Sequence, residues 1–249
     1  MNHIRQEQLK KYIERKSVAT IQELRALFPE ISLMTLHRDL DALEGMGIIT
    51  KYRGGVRSVR YPDDVEFNIR MEENTAGKVS IVKKAMKLIG PQSSIFLDAG
   101  TSTLALARSL PDIDLNITTV SPGIALELCR LRHPIVNLCG GTMNRKNLSV
   151  SGMNALELLK KINIDIAFIG VSGCSPEAGF TCGTEADMQI KRTVIKKART
   201  RVVMCGADKL KRLMPFTFAE LSEVDYIISD GFLSEEFVRR ATAAGATVL

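Results

Sequence analysis

A run of small and hydroxyl-bearing residues after an apolar segment is the first sign of chemistry in this sequence. Residues 95–99 are apolar except for Asp98, and an apolar helical pattern starts at Leu104. Between them stand four residues that suit an anion: Gly100, Thr101, Ser102 and Thr103. Glycine allows close backbone approach, hydroxyls donate hydrogen bonds, and a helix N-terminus attracts negative charge. The segment therefore predicts a phosphate cradle, although the same residues would serve if they only capped the helix.

Further candidate ligand contacts lie just after other apolar runs. They are Gly140, Gly141, Gly170 and Lys209. Glu185 and Lys191 are also candidates, because they lie on or beside a helix that we expect to begin near Thr184. A polyhydroxylated phosphate ester would need such a mixture of groups. Lys191 could instead belong to a solvated basic stretch that suits a helix C-terminus, together with Arg192, Lys196, Lys197 and Arg199.

A second kind of chemistry is indicated between residues 32 and 45. Ser32 can cap a helix in which leucines recur at three- and four-residue spacing, at positions 33, 36, 40 and 43. The opposite sector holds Met34, Thr35, Arg38 and Ala42, while His37 and Asp41 flank it. This pattern is typical of a recognition helix, whose outer N-terminal residues reach base edges in the DNA major groove. His37 could reach a phosphate.

The elements around this helix decide whether it binds DNA or is only the solvated side of a small helical bundle. A helix over 3–16 comes first, with Ile4, Leu9, Tyr12 and Ile13 as its apolar residues. A second helix starts at the capping box of Thr20 and Glu23, carries Ile21, Leu24, Leu27 and Phe28, and stops before Pro29. Two strand patterns, 48–52 and 56–61, lie on either side of the glycine pair Gly54 and Gly55, which indicates a hairpin. The hairpin is basic, with Lys51, Arg53, Arg57 and Arg60. This order favours a winged helix-turn-helix, with these expected DNA contacts: Ser32, Met34, Thr35, His37, Arg38, Lys51, Arg53, Gly54 and Gly55.

The rest of the chain has the texture of an α/β domain. Seven short apolar runs alternate with helical patterns, which predicts a mostly parallel, Rossmann-like sheet covered by helices: 95–99, 117–120, 135–139, 166–171, 202–205, 226–229 and 247–249. Such sheets bind ligands at the carboxyl ends of their strands. We therefore expect a DNA-binding domain over 1–61, a linker over 62–75 and an effector-binding domain over 76–249.

Composition supports a globular protein without a membrane or metal partner. The 249 residues are 45% hydrophobic and 25% charged, and no apolar run is long enough to span a bilayer. We expect a cytoplasmic protein without cofactor. The net charge of +6 is concentrated near the start, where residues 1–60 carry 11 basic and 7 acidic side chains. Five scattered cysteines predict reduced thiols: Cys129, Cys139, Cys174, Cys182 and Cys205.

The motifs together resemble the DeoR family along the whole chain. Residues 32–40 (SLMTLHRDL) resemble that family's S-x-x-T-[IL]-[RH]-R-D-L helix, and the glycine pair at 54–55 resembles its wing. Further matches follow in the family's order: Glu66 to Arg70, Lys78, Asp98 to Thr103, Gly140–Gly141, Ser151–Gly152, Asp165 to Gly170, Glu185 and Lys191. The chain departs from the family at Val120, where an asparagine is usual, and at Gly206, where an aspartate is usual.

The resemblance implies a repressor of a sugar or polyol catabolic operon. Its partners would be double-stranded operator DNA and a phosphorylated sugar or polyol, held by a sensor domain similar to ribose-5-phosphate isomerase with the phosphate at 100–103. Because one recognition helix reads few base pairs, a homodimer or homotetramer is expected. Two alternatives stay open: an isomerase-like enzyme using Asp98, Glu185 and Lys191 or Lys209, and a domain without ligand that only joins the DNA-binding heads.

Overall fold

The chain divides into two compact units, Met1–Val65 and Glu66–Leu249. The computed structural model describes residues 2–16, 18–52, 54–58, 67–72, 74–210, 212–231 and 233–249. None of the helices within these ranges is long and apolar enough to cross a membrane.

The first unit is a winged helix-turn-helix. Its elements are α1 (Asn2–Lys16), β1 (Val18–Thr20), α2 (Ile21–Leu27), α3 (Leu33–Gly45), β2 (Ile49–Tyr52) and β3 (Gly55–Ser58). The strands pair antiparallel in the order β1-β3-β2. The predicted caps are present: Thr20 and Glu23 form a capping box on α2, and Ser32 caps α3. Strand β1 was not predicted, because three residues carry no periodicity that a sequence pattern could reveal.

Buried apolar side chains from all three helices hold the first unit together. They include Leu9, Ile13, Leu24, Leu36, Leu40, Leu43, Ile49 and Val56. Three residues expected in this core are exposed instead: Ile4 (69%), Leu27 (44%) and Leu33 (42%). Each stands at or near the end of its helix, where the turn extends past the packed centre. The last residues of the predicted second wing strand, 59–61, lie outside the described part.

The second unit contains the remaining elements. They are α4 (Phe67–Glu72), α5 (Thr75–Met86), β4 (Ser94–Leu97), α6 (Thr101–Ser109), β5 (Asn116–Thr119), α7 (Pro122–Leu128), β6 (Ile135–Leu138), β7 (Thr142–Asn144), β8 (Ser149–Ser151), α8 (Met153–Lys161), β9 (Ile164–Gly170), β10 (Gly173–Ser175), β11 (Gly179–Cys182), α9 (Glu185–Lys197), β12 (Ala198–Met204), β13 (Phe216–Ala219), β14 (Tyr226–Ile228), α10 (Glu235–Ala243) and β15 (Thr247–Val248). Two single-turn 3-10 helices, Ala207–Lys209 and Leu221–Glu223, lie among them.

Each of the seven predicted apolar runs supplies one strand of the main sheet. Within the described residues, seven strands pair in parallel in the order β15-β14-β12-β9-β4-β5-β6. Alternate side chains enter two separate apolar clusters, as Phe96 and Ile95 of β4 do. Since helices cover both faces, near-continuous apolar strands are what this architecture requires.

Two smaller sheets were not predicted. Strands β7 and β8 form an antiparallel pair, and β10, β11 and β13 form an antiparallel sheet in which β11 is central. Part of the predicted linker is also structured, because residues 67–72 form α4. Phe67 is buried in the apolar cluster beneath β4, and its N–H donates to the Lys146 carbonyl at 3.0 Å. Residues 62–66 lie outside the described part.

Candidate functional site

Helix α3 of the first unit presents the expected outer surface. Met34 is 79% exposed and Arg38 is exposed, while Thr35 and His37 are half-buried. The Ser32 hydroxyl accepts the N–H of Thr35 at 3.2 Å, so it fixes where the helix begins. The exposed end of α3 can thus enter a groove while Leu36, Leu40 and Leu43 behind it stay packed.

Asp39 has a role that sequence reasoning missed. Its side chain is 1% exposed and accepts hydrogen bonds from Arg5 Nε at 2.5 Å and Gln6 Nε2 at 3.1 Å, both on α1. The signal was available, because Asp39 stands three residues after Leu36 and therefore on the leucine side of the helix. A carboxylate in that position needs a partner, and α1 provides it.

The wing is joined to α3 by polar contacts. Lys51 Nζ forms an ion pair with Asp41, and the Lys51 N–H donates to Glu44 Oε1 at 2.7 Å. Gly54 is exposed with a φ of 95°, a left-handed conformation that favours glycine in the turn between β2 and β3. Gly55 is buried, so its expected DNA contact has no exposed surface to use. Arg53 and Arg60 lie outside the described residues, as does the Arg57 side chain.

The second unit joins three predicted residues into one buried polar cluster at the carboxyl end of β4. Asp98 is fully buried, and its Oδ2 accepts hydrogen bonds from Lys191 Nζ and from the Gly170 N–H at 3.0 Å. Lys191 Nζ also donates to the Gly170 carbonyl at 3.0 Å. Asp98 Oδ1 accepts no hydrogen bond from any residue that the structure describes. Lys191 is therefore not part of a solvated basic stretch.

A second acid stabilises the charge on Lys191. Asp187 Oδ1 lies 3.5 Å from Lys191 Nζ, one helical turn before it on α9. Burial by itself would lower the pKa of Lys191, but attraction to Asp187 and Asp98 outweighs that effect and raises the pKa above its usual value. The predicted acid Glu185 is exposed, and its carboxylate accepts from Gln189 instead. Helical spacing explains the difference, because position 187 shares a face with 191 whereas position 185 does not.

The predicted phosphate loop is largely the first turn of α6. The helix begins at Thr101, three residues earlier than the apolar pattern indicated, and Gly100 is its N-cap. Thr103 is buried and its hydroxyl donates to the carbonyls of Asp98 (2.6 Å) and Gly100 (2.9 Å), so it holds the turn together. Thr101 and Ser102 are half-buried at the same helix end. The unit therefore places a helix N-terminus beside the Asp98–Lys191 cluster.

The remaining predicted residues lie along the same sheet edge, on either side of β4. Gly140 is exposed after β6. Gly141 has a φ of 146°, and a side chain there would overlap the Ser151 carbonyl, so this glycine is needed for the β7–β8 pair. Lys209 lies after β12 and pairs with Asp208 at 2.5 Å. Val120 is buried, and its carbonyl accepts the Val150 N–H at 2.7 Å.

The cysteines show no arrangement suited to a metal. All five are free thiols, and no group of three or more potential metal ligands occurs among the described residues. Cys174 and Cys205 are buried with their sulfur atoms 3.3 Å apart. Burial raises the pKa of the Cys139 thiol to about 11. A protonated, buried thiol is a poor metal ligand and nucleophile.

Comparison with known proteins identifies both units. The DeoR-like helix-turn-helix domain matches residues 5–61, and the DeoR C terminal sensor domain matches residues 73–231. The chain is 31% identical over 220 residues to the HTH-type transcriptional regulator GlpR of Haloferax volcanii, covering 88% of this chain and 86% of that protein. It is 28% identical over 227 residues to the HTH-type transcriptional repressor GlcR of Bacillus subtilis. That match covers 91% of this chain and 87% of that protein.

A solved structure resembles this chain more distantly. Ribose 5-phosphate isomerase A from Methanocaldococcus jannaschii matches with a TM-score of 0.39 and 17% identity over 54% of each chain, which is too weak to bear on activity. The two family models and the long curated matches are decisive. The chain belongs to the DeoR family and is a DNA-binding transcriptional regulator.

Proposed function

We propose that this regulator is a repressor of a sugar or polyol catabolic operon, and that a phosphorylated sugar or polyol controls its binding to operator DNA. The observation that carries the proposal is the pairing of two features at one sheet edge. The N-terminus of α6 offers an anion site, and Asp98 Oδ1 beside it is a buried acceptor without a described partner.

The helix end supports the phosphate half of the ligand. Backbone N–H groups in the first turn of an α-helix point towards the ligand, and the helix dipole favours negative charge there. Gly100 keeps this approach open, and the hydroxyls of Thr101 and Ser102 are placed to add donors. Thr103 contributes by holding the turn and not by direct contact.

Asp98 supports the binding of the hydroxyl-bearing part of the ligand. A buried oxygen left without a hydrogen bond costs about 1–3 kcal/mol, and a donor from the ligand would recover part of that cost. Its neighbour Oδ2 is held by Lys191 and Gly170, so the carboxylate has a fixed orientation. A sugar or polyol hydroxyl is a donor of the required kind.

The same geometry favours regulation over catalysis. Lys191 is charged and hydrogen-bonded, so it is a poor general base, and Glu185 is exposed and bonded to Gln189. The GlcR relative is named a transcriptional repressor, which supports repression here. We also propose a homodimer or homotetramer in the cytoplasm, since paired half-sites double the contact that one α3 can make.

A thermal-shift experiment with the full chain tests the effector. Glucose 6-phosphate, ribose 5-phosphate and glycerol 3-phosphate are compared with glucose, ribose and glycerol at equal concentration. A ligand at a hundred times its Kd stabilises the folded state by about 2.7 kcal/mol, which raises the melting temperature measurably. We expect at least one ester to stabilise the protein and to weaken operator binding. The proposal is wrong if none of the esters exceeds its unphosphorylated counterpart.

A further inference from the structure

Asp230 forms hydrogen bonds with two separate structural elements, the Ala207–Lys209 turn and the start of α5, and it has no part in the proposed effector site. It lies two residues after β14, and each of its carboxylate oxygens accepts a hydrogen bond from a different element. Oδ1 accepts the backbone N–H of Ala207 at 2.7 Å, in the turn that carries Lys209. Oδ2 accepts from the side-chain Nδ2 of Asn74, which is the N-cap of α5.

The contact with α5 is close. The Asn74 side chain also accepts the Gly77 N–H at 3.2 Å, and a Cβ on Gly77 would overlap Asp230 Oδ2. A second link follows one residue earlier, where Lys84 Nζ of α5 donates to the Ser229 carbonyl at 2.7 Å. The carboxylate therefore rests against the first turn of α5, where the helix dipole favours a negative charge.

Helix α5 contacts α4, the helix before it in the chain. Lys78 Nζ donates to the backbone carbonyls of Arg70 and Met71, so α5 holds the end of α4. The residues before α4 lead along the chain to the winged helix. Asp230 thus connects the Ala207–Lys209 turn at the effector edge to the first helices after the DNA-binding unit.

We propose that Asp230 is a positioning residue through which a displacement of the Ala207–Lys209 turn reaches the first turn of α5. Its part in regulation rests on the proposed function, because a ligand must move that turn. Two rigid elements that share one carboxylate cannot move independently without breaking a charge-assisted hydrogen bond. A ligand that draws Lys209 towards its phosphate would therefore change the hydrogen bonds of Asp230 at the N-terminus of α5.

A ligand-free experiment tests the link. Ala207→Pro removes the N–H that Asp230 accepts, and proline suits the first position of this turn because Gly206 before it is extended at φ −62° and ψ 143°. We expect hydrogen exchange at the Gly77 and Lys78 amides to rise by about tenfold. In an Asp230→Ala background the same change should have no further effect. Unchanged exchange in Ala207→Pro, or an equal increase in both backgrounds, would overturn the proposal.

Two further variants separate this link from general loosening. Asn74→Gly keeps the left-handed backbone of φ 48° but removes the partner of Oδ2. Because it also removes the acceptor of the Gly77 N–H, the response to Ala207→Pro is read in this variant at the Lys78 amide, where it should be abolished. Asp225→Ala is the matched control, because this carboxylate holds Arg201 at the opposite edge of the same sheet. The Asp225→Ala protein should still show the tenfold response, and its loss there would contradict a specific path.

The regulatory role is tested by measuring operator binding with and without each of the three phosphate esters named above. The operator fragment is first selected from random DNA with the wild-type protein. Asp230→Ala should retain the melting-temperature shift and bind the fragment, but the ratio of operator Kd with and without ester should fall to about 1. A wild-type ratio in this variant refutes the role. If no ester shifts the wild-type protein, the proposed function fails, while the exchange experiment still decides whether Asp230 links the two elements.

Discussion

The guanidinium of Arg5 and the carboxylate of Asp39 join the first helix of the chain to its recognition helix, with Nε and Oδ2 2.5 Å apart. Asp39 is the immediate neighbour of Arg38, the exposed side chain that we propose contacts a base. The position of the helix turn that carries Arg38 is thus fixed by a buried residue beside it.

Loss of this anchor should weaken DNA binding without touching the DNA-facing surface. We expect Asp39→Ala to lower both the melting temperature of the first unit and the affinity for operator, because α3 loses its polar contact with α1. Asp41→Ala removes an exposed carboxylate two residues further on, whose ion pair with Lys51 lies at the surface, and should lower the melting temperature much less. Calorimetry and fluorescence anisotropy measure the two effects, and equal melting temperatures for both variants would contradict the assigned anchor.

Arg38→Ala should weaken operator binding without lowering the melting temperature. The side chain is exposed, so folding should be intact, while operator binding should weaken by about 1–3 kcal/mol if the guanidinium contacts a base. Arg108→Ala removes an equally charged, exposed residue from α6 and is the control. An operator affinity in Arg38→Ala that equals that of Arg108→Ala would rule out base reading by this residue.

Thr101→Asp tests the anion site at the start of α6. A carboxylate is favourable in the first turn of a helix, so the protein should fold and bind operator. The same charge would repel the phosphate, so the effector should no longer weaken operator binding. Thr101→Asn, which is neutral and of equal size, should respond more than the aspartate variant, and a normal response of Thr101→Asp in anisotropy measurements would refute the site.

The Asp98–Lys191 pair should be costly to break from one side only. Lys191→Met leaves Asp98 buried without its cation and should destabilise the second unit by about 3–5 kcal/mol in urea unfolding. Adding Asp98→Asn removes the stranded charge and should recover a large part of that loss. If the double variant is as unstable as the sum of the singles, the two side chains do not stabilise each other.

Acid should weaken the second unit through Asp225. The Arg201 side chain and backbone N–H hold the pKa of Asp225 below its usual value, with burial acting against them. Because the pKa of Asp225 is lower in the folded than in the unfolded state, its ionised form stabilises the protein at pH values above the unfolded pKa of about 3.9. This stabilisation is lost as the pH falls from that value through the folded-state pKa. The difference in unfolding free energy between wild type and Asp225→Asn should therefore shrink below about pH 4, and a constant difference across pH would exclude this cause.

Much of the fold was predictable because its signals are local. The seven apolar runs became the seven strands of the parallel sheet, and the caps at Thr20 and Ser32 begin the expected helices. The antiparallel sheet of β10, β11 and β13 was missed because β11 and β13 lie more than thirty residues apart and their pairing leaves no periodic mark. Leu33 was placed in the core because its spacing fits, although the helix end that carries it lies beyond the packed centre.

The site was predictable in part for the same reason. Asp98, Gly170 and Lys191 were selected separately, and the structure brings them together. Their mutual hydrogen bonds could not be foreseen, since they join residues 72 and 93 positions apart. Glu185 was predicted as an effector residue, whereas the acid that lies beside Lys191 is Asp187, one helical turn before it, which the sequence pattern had not singled out.

The parallel arrangement of the main sheet also bears on how the protein is made. Strand β4 is completed only by β9, which leaves the ribosome about seventy residues later. The winged helix pairs strands and helices within its first sixty residues, and such short-range contacts form faster than distant ones. During synthesis, the DNA-binding head should therefore be folded before the sensor domain exists, and chains cut short between the two would carry a DNA-binding head without the domain that we propose controls it.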